Sequence, residues 1–299
     1  MPEEMDEERE KMEEMGEMNE CRAELNRLVN KKEVYFTRRC NKSIELALNA
    51  SLKGNSKQGC EKKVILIQEE GGWITYSKYA REHKLEIIKL KMNKGKLIKE
   101  HLLEVLKQNK GKSVLIMHSL PGYSYAEKID EIYALIKESG SILINDCCGS
   151  IGTDSAKIGD IIVCSFGEAK PLSAGGGGFI AAEDFSGLCE SIIPELVNEE
   201  KKAAEKINFQ RLDGAISSLQ ERRSGWKLIA EKTKKELISK GFNVLNRENQ
   251  GINVLVGFSG EEEKERLINY CKEKGIEYTE CPRYIRTLEK ALSLEIKRL

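Results

Sequence analysis

The chain offers a carboxylate, a hydroxyl and an amine near the ends of two apolar runs. Asp146 closes Ser141-Ile-Leu-Ile-Asn-Asp146, Ser165 lies at the end of the run from Asp160, and Lys170 follows in Ser165-Phe-Gly-Glu-Ala-Lys170, ahead of the glycine run Gly175–Gly178. In an open parallel sheet, ligands collect beyond the carboxyl ends of the strands, so two such ends would aim all three groups at one region. A carboxylate and an amine brought together meet the needs of a pyridoxal 5'-phosphate (PLP) site. The carboxylate stabilises a protonated pyridine nitrogen, and the lysine forms a Schiff base. Taken singly, each group has a plainer reading. Asp146 suits a salt bridge or a turn cap, Lys170 a solvated side chain, and the glycines a flexible turn or bulge. Only the combination points to chemistry.

Such groups need a scaffold, and the apolar pattern supplies one. VILIQ at 64–68, EIIKL at 86–90, SVLIMH at 113–118, SILIND at 141–146 and DIIVCSF at 160–166 alternate with helical patterns over 74–83 and 126–139. Continuous β-branched runs joined by helices describe a parallel sheet buried on both faces, so the expected fold class is α/β. Residues 3–30 carry dense charge with Met18, Cys21, Leu25 and Leu28 at helical spacing, an exposed amphipathic helix whose first 16 residues are expected to lack order. Residues 188–240 read as helix broken near Pro194, Gly214 and Gly225. A strand at 251–258, a helix at 261–274 and a strand at 276–281 complete a βαβ-like lobe. The expected organisation is an N-terminal segment 1–30, a large domain 31–190, a helical connection 191–240 and a small lobe 241–299.

Composition narrows the partners. Forty-nine basic and 49 acidic residues cancel, and no stretch concentrates positive charge as a nucleic-acid face requires. The nine cysteines, Cys60 among them, form no C-x-x-C pair and have no His-rich companion segment, so reduced thiols and no metal are expected. The acidic, Met-rich start is unlike an export signal, and no run of 18 apolar residues occurs, so a cytoplasmic protein away from membranes is expected.

In order along the chain, Gly71-Gly72-Trp73-Ile-Thr-Tyr76, Asp146, Ser165, Lys170 with Gly175–Gly178, and Asn208 to Gln220 with Arg222-Arg223 resemble the DegT/StrS-type aminotransferases. That family belongs to the aspartate-aminotransferase fold class (type I), with a large domain and a small C-terminal lobe. The resemblance implies that Trp73 lies on the PLP face, Ser165 contacts the phosphate, Asp146 holds the pyridinium, and Lys170 is both Schiff base and proton shuttle. It places the phosphate cup at Thr37-Arg-Arg-Cys-Asn-Lys-Ser43, ahead of the helical pattern Ile44–Leu52. There the amides of Cys40 and Asn41 would offer an anion site, with charge added by Arg38 or Arg39; the alternative is an ordinary basic helix start. His118, before Leu120-Pro121-Gly122, fits the family's strand-end histidine, as a loop-fixing residue or one near substrate. Arg283 and Arg286 would lie on the closing lobe, where either could bind a substrate carboxylate or simply face solvent.

Three departures bear on activity. The cup carries Cys40-Asn41 in place of a small Ser/Asn-Gly-Thr-like turn, and Gly149 stands where relatives place His or Gln. The chain stops at Leu299, soon after Arg286, where relatives generally continue, so the lobe is expected to be shortened and the family's sugar-nucleotide contacts are not carried over. The leading expectation is an aminotransferase moving an amino group from an amino acid to a keto acceptor, a keto-sugar among the candidates, and the resemblance implies a homodimer whose subunits complete each other's sites. The alternatives are PLP-dependent elimination or β-substitution, and a non-catalytic binding protein on the same fold. A nucleotide-binding reading of the glycine run is poor, because it follows Lys170 rather than opening a helix after a first strand.

Overall fold

The computed structural model describes residues 2–53 and 63–299, with side chains from residue 15 onward; Cys60 lies outside the described residues. Helix α1 (Pro2–Val29) leads into β1 (Glu33–Thr37), α2 (Cys40–Lys53), β2 (Val64–Gln68), α3 (Thr75–Glu82), β3 (Glu86–Leu90) and the small hairpin β4 (Met92–Asn93) and β5 (Lys96–Leu97). Then come α4 (Lys99–Gln108), β6 (Ser113–His118), α5 (Ile129–Glu138), β7 (Ile142–Asp146), β8 (Ile161–Ser165) and β9 (Gly178–Ala182).

These strands form a seven-stranded sheet in the order β1-β9-β8-β7-β6-β2-β3. Strands β8, β7, β6, β2 and β3 run parallel, and β9 lies antiparallel between β1 and β8. Side chains alternate across a strand, and both faces here are apolar. Val64 and Leu66 of β2 join Leu115, Met117 and Leu143 beneath α4 and α5. Ile65 and Ile67 face the other way, with Val114, Ile116 and Ile144, against α2 and α3. The continuous apolar runs in the sequence follow from this double burial. Strands β1 and β9 were not foreseen, because EVYFT and GFIAA are short and the glycine run reads as a turn.

Helices α6 (Phe185–Cys189), α7 (Ile193–Ala204), α8 (Phe209–Ser217) and α9 (Leu219–Ser239) follow. Pro194 sits in the first turn of α7, where a missing N–H costs nothing. The breaks expected at Gly214 and Gly225 do not occur: both lie inside helices, with nothing within 4 Å of where a Cβ would stand. Helix α1 begins at Pro2, within the segment expected to lack order, and is not simply exposed. Cys21, Leu25 and Val29 are fully buried in a cluster with Phe36 and Phe209.

The small lobe contains β10 (Asn243–Val244), β11 (Val254–Gly257), α10 (Glu261–Glu273), β12 (Tyr278–Arg283) and β13 (Thr287–Leu294), in the sheet order β10-β11-β13-β12. Strand β13 was not foreseen. It splits the expected βαβ unit by pairing antiparallel with both β11 and β12. Leu120 and Tyr123 of the large domain pack into this lobe's apolar core. Among the described residues no helix is long and apolar enough to cross a membrane.

Candidate active site

Three neighbouring parallel strands deliver chemistry to one edge of the sheet. β6, β7 and β8 end in His118, Asp146 and Ser165, and His118 lies directly beside Asp146 in the ladder. Helix α2 starts against the same edge. Gly178 permits this, since a Cβ there would stand 2.5 Å from the Cys164 carbonyl oxygen and 3.0 Å from the Cys40 nitrogen. The result is a cavity of about 450 Å³, within the range of small-molecule sites. Of the residues singled out from sequence, Cys40, Asn41, Trp73, His118, Asp146, Ser165, Lys170 and Arg286 line it, as do Arg38 and Arg39. Arg283, at the end of β12, is not among the lining residues.

Asp146 is buried at the cavity floor, where it accepts from the Tyr76 hydroxyl at 2.6 Å and the Cys148 amide at 3.0 Å. Burial, reinforced by the neighbouring Cys148, pushes its carboxyl well above the usual range. A buried carboxylate in this state is stabilised by a cation placed beside it. Cys40 Sγ and Cys148 Sγ lie 3.9 Å apart, and with the Asp146 carboxylate they offer ligand atoms within 4.8 Å of one another, a cluster that sequence spacing did not reveal. Cys148 is also held by the Ser165 amide at 3.1 Å. All eight described cysteines are free thiols.

Lys170 is half-buried and donates to the Tyr123 hydroxyl at 2.6 Å. Burial acts to lower its ammonium, but Tyr123, Cys148 and Asp146 more than offset this and hold it above its ordinary value. The Lys170 amine also lies 5.6 Å from the Trp73 ring centre. Asn41 takes a role that sequence did not suggest: its side-chain oxygen accepts from the Trp73 indole at 2.9 Å, tying that ring to the start of α2. Helix α9 braces the loops from behind. Arg223 donates to the Gly149 and Ile151 carbonyls, and Arg222 to the Pro171 carbonyl at 2.6 Å.

His118 is buried, accepts from the Leu120 amide on Nδ1 at 3.1 Å, and leaves Nε2 without a partner. Burial lowers its pKa to about 4, so the ring is neutral with its proton on Nε2. Arg286, one of the two candidates for a substrate carboxylate, is already paired. It grips Glu295 at 2.7 and 2.9 Å, with both groups buried. Tyr123, Lys297 and Arg298 also line the cavity and were missed from sequence. Tyr123 follows a Pro-Gly turn and reads there as a loop residue, while Lys297 and Arg298 carry no local motif; their proximity arises only through folding.

The residues fit PLP. The unpartnered His118 Nε2 is a donor without an acceptor, the buried Asp146 is a carboxyl whose charged form a cation beside it would favour, and Lys170 lines the same cavity. Helix-start amides point outward by the geometry of helix termini, with Ser165 nearby on the lining.

The chain has the fold of several solved enzymes. A DegT/DnrJ/EryC1/StrS aminotransferase from Brucella abortus superposes with a TM-score of 0.70 at 15% identity, over 93% of this chain and 84% of that one. A cysteine desulfurase from Thermococcus onnurineus gives 0.65 at 13% identity, over 96% and 82%. The GDP-4-keto-6-deoxymannose-3-dehydratase ColD gives 0.68 at 13% identity, over 93% and 88%. At these identities the likeness is one of fold. No curated protein matches the sequence significantly. The family model for aminotransferase class-V matches residues 6–185, a span that runs from α1 through the cavity strands to the start of α6. The match covers well over half of the chain and the whole PLP-compatible sheet edge, and the chain therefore belongs to the aminotransferase class-V family of PLP-dependent enzymes.

Proposed function

We propose that the protein is an aminotransferase that binds PLP covalently through Lys170 and moves an amino group from an amino acid to a keto acceptor. The observation that carries this reading is the convergence of Asp146, Lys170 and Trp73 on one cavity that the start of α2 also lines. Asp146 would pair with the pyridine nitrogen, Trp73 would lie on the ring face, and the amides of Cys40 and Asn41 with the Ser165 hydroxyl would receive the phosphate. His118 Nε2 would donate to an oxygen of the bound molecules. The cofactor, when bound, supplies an electron sink for bond-breaking at the donor's α-carbon. Lys170, once free, would carry a proton between two carbons of the bound molecules, a role that its place on the cavity lining serves.

DegT/StrS-like substrate use, including a keto-sugar acceptor, belongs to this proposal. Elimination or β-substitution is the second reading, supported by the dehydratase ColD on the same fold. We further propose a cytoplasmic homodimer; Ile74, next to Trp73, leaves a large apolar side chain exposed that a second copy would cover, and sedimentation of the purified protein as a monomer would remove the dimer.

The test is the absorption spectrum of protein purified with PLP, before and after borohydride, beside Lys170→Ala. A visible band that reduction fixes to Lys170, and that the variant lacks, is expected. Incubation with amino donors and a keto acid then separates transamination from elimination by product. Protein that takes up no PLP would end the enzyme reading.

A further inference from the structure

Gly149 carries no side chain, and two rings stand in the space that one would fill. A Cβ on Gly149 would lie 2.8 Å from His118 Cε1 and 3.0 Å from Tyr123 Cδ1. These rings meet edge to face, 5.1 Å apart. The phenol of Tyr123 reaches Lys170 Nζ at 2.6 Å. We infer that Tyr123 is a positioning residue for Lys170: it aims the amine into the cavity and sets how tightly that amine holds its proton. The inference rests on the proposed role of Lys170.

The backbone shows that Tyr123 is placed there by the fold rather than by local preference. Its φ is +65°, a left-handed conformation that residues with a Cβ rarely adopt and that persists only where the surroundings enforce it. The enforcement comes from the small lobe. The amides of Ile252 and Asn253 both donate to the Tyr123 carbonyl at 2.9 Å. On the other side, Lys297 lies 4.7 Å and Arg286 5.2 Å from the centre of the Tyr123 ring, so cations flank the phenol along with Lys170. Lys297 also donates to the carbonyl of Ala169, the residue before Lys170, at 2.9 Å. Ala169 too has a left-handed φ, of +57°. The small lobe thus fixes both the phenol and the loop on which the amine is carried.

The contact has a defined proton chemistry. Burial drives the phenol up to about 12, so at neutral pH it stays protonated and accepts from the Lys170 ammonium. No net transfer is needed for this role. The hydroxyl oxygen stabilises the charged amine, and when the amine is neutral the same hydroxyl donates to its lone pair. Removing the hydroxyl takes away one stabilising partner of the ammonium and lets the amine lose its proton at lower pH.

The experiment uses the full chain without cofactor. Wild type and Tyr123→Phe are treated with an amine-acylating reagent across pH 7 to 11, and labelling at Lys170 is followed by peptide mass spectrometry. The phenylalanine keeps the ring, its packing against His118 and the fold. The expected result is faster labelling of Lys170 in the variant while both amines are protonated, by about tenfold for each unit by which the amine pKa falls, with the variant's rate levelling off at a lower pH than that of the wild type. A site merely loosened would raise the rate without moving the pH at which it levels off, and that outcome, or unchanged labelling, overturns the inference. Gly149→Ala, which drives a Cβ into both rings, should reproduce the pH-dependent change. Because the readout needs no PLP, its outcome is separate from that of the proposed function. Failure to bind PLP would leave the pairing standing, and an unchanged labelling profile in a PLP-binding protein would remove only the role of Tyr123.

Discussion

At the scale of single residues, burial sets the charge states of the groups that line the cavity. His118 shows the consequence most directly. Its folded pKa of about 4 lies below the ordinary 6.5, so below pH 6.5 the unfolded chain gains a proton that the folded chain refuses. Stability is therefore expected to fall as pH drops from about 6.5 to 4, by on the order of 3 kcal/mol at full effect. His118→Asn removes the titrating group while leaving an oxygen to accept from the Leu120 amide. Urea unfolding of this variant should show a flatter pH dependence across that window, and a wild-type slope in the variant would show that other groups cause it. Asp146 was readable from sequence as a strand-end carboxylate; its partners Tyr76 and Cys148 were not, because contacts from α3 and from the following turn are set by packing.

At the scale of elements, function depends on how closely α2 meets the sheet. The glycine run looked like a turn, but its last member opens β9 and leaves room for the start of α2 against backbone atoms. Those atoms cannot rotate away as a side-chain end would. Gly178→Ala is expected to cost about 1–3 kcal/mol through overpacking and to weaken phosphate binding as the first turn of α2 shifts. Gly176→Ala is the control, since nothing lies within 4 Å of a Cβ there. Chemical denaturation of both, with a titration against inorganic phosphate, checks the expectation; equal stability for the two variants would contradict it. The sequence pattern gave the parallel strands well, because burial on both faces leaves an apolar run. It gave β1, β9 and β13 poorly, because those strands depend on pairing with chain far away in sequence.

At the scale of the molecule, one buried ion pair stands between the small lobe and the cavity. Arg286 and Glu295 are held together beside Tyr123, and Glu295 also accepts from Asn253 and Thr279. Burial acts to raise the Glu295 carboxyl, but the Arg286 guanidinium outweighs it and holds the carboxyl at about 2. The folded value is depressed from 4.5, so the pair's contribution is complete above about pH 4.5 and is lost as pH falls towards 2. Arg286→Met leaves Glu295 buried without its main partner, and a loss of about 3–5 kcal/mol is expected at neutral pH. Calorimetry should find this loss greatly reduced near pH 2, where the carboxyl takes up a proton; an equal loss at both pH values would show that packing, not charge, is what Arg286 supplies.

The sequence by itself determined the α/β class, the parallel strands that end in His118, Asp146 and Ser165, and the pairing of a carboxylate with Lys170 in one region. Those features are legible because burial periodicity and strand-end position are local properties of the chain. Only the tertiary structure decided that Asn41 ties Trp73, that Arg286 is consumed by Glu295, and that Tyr123 and His118 fill the space beside Gly149. Each of these depends on segments distant in sequence being brought within a few ångströms, and no local pattern of side chains records such a distance.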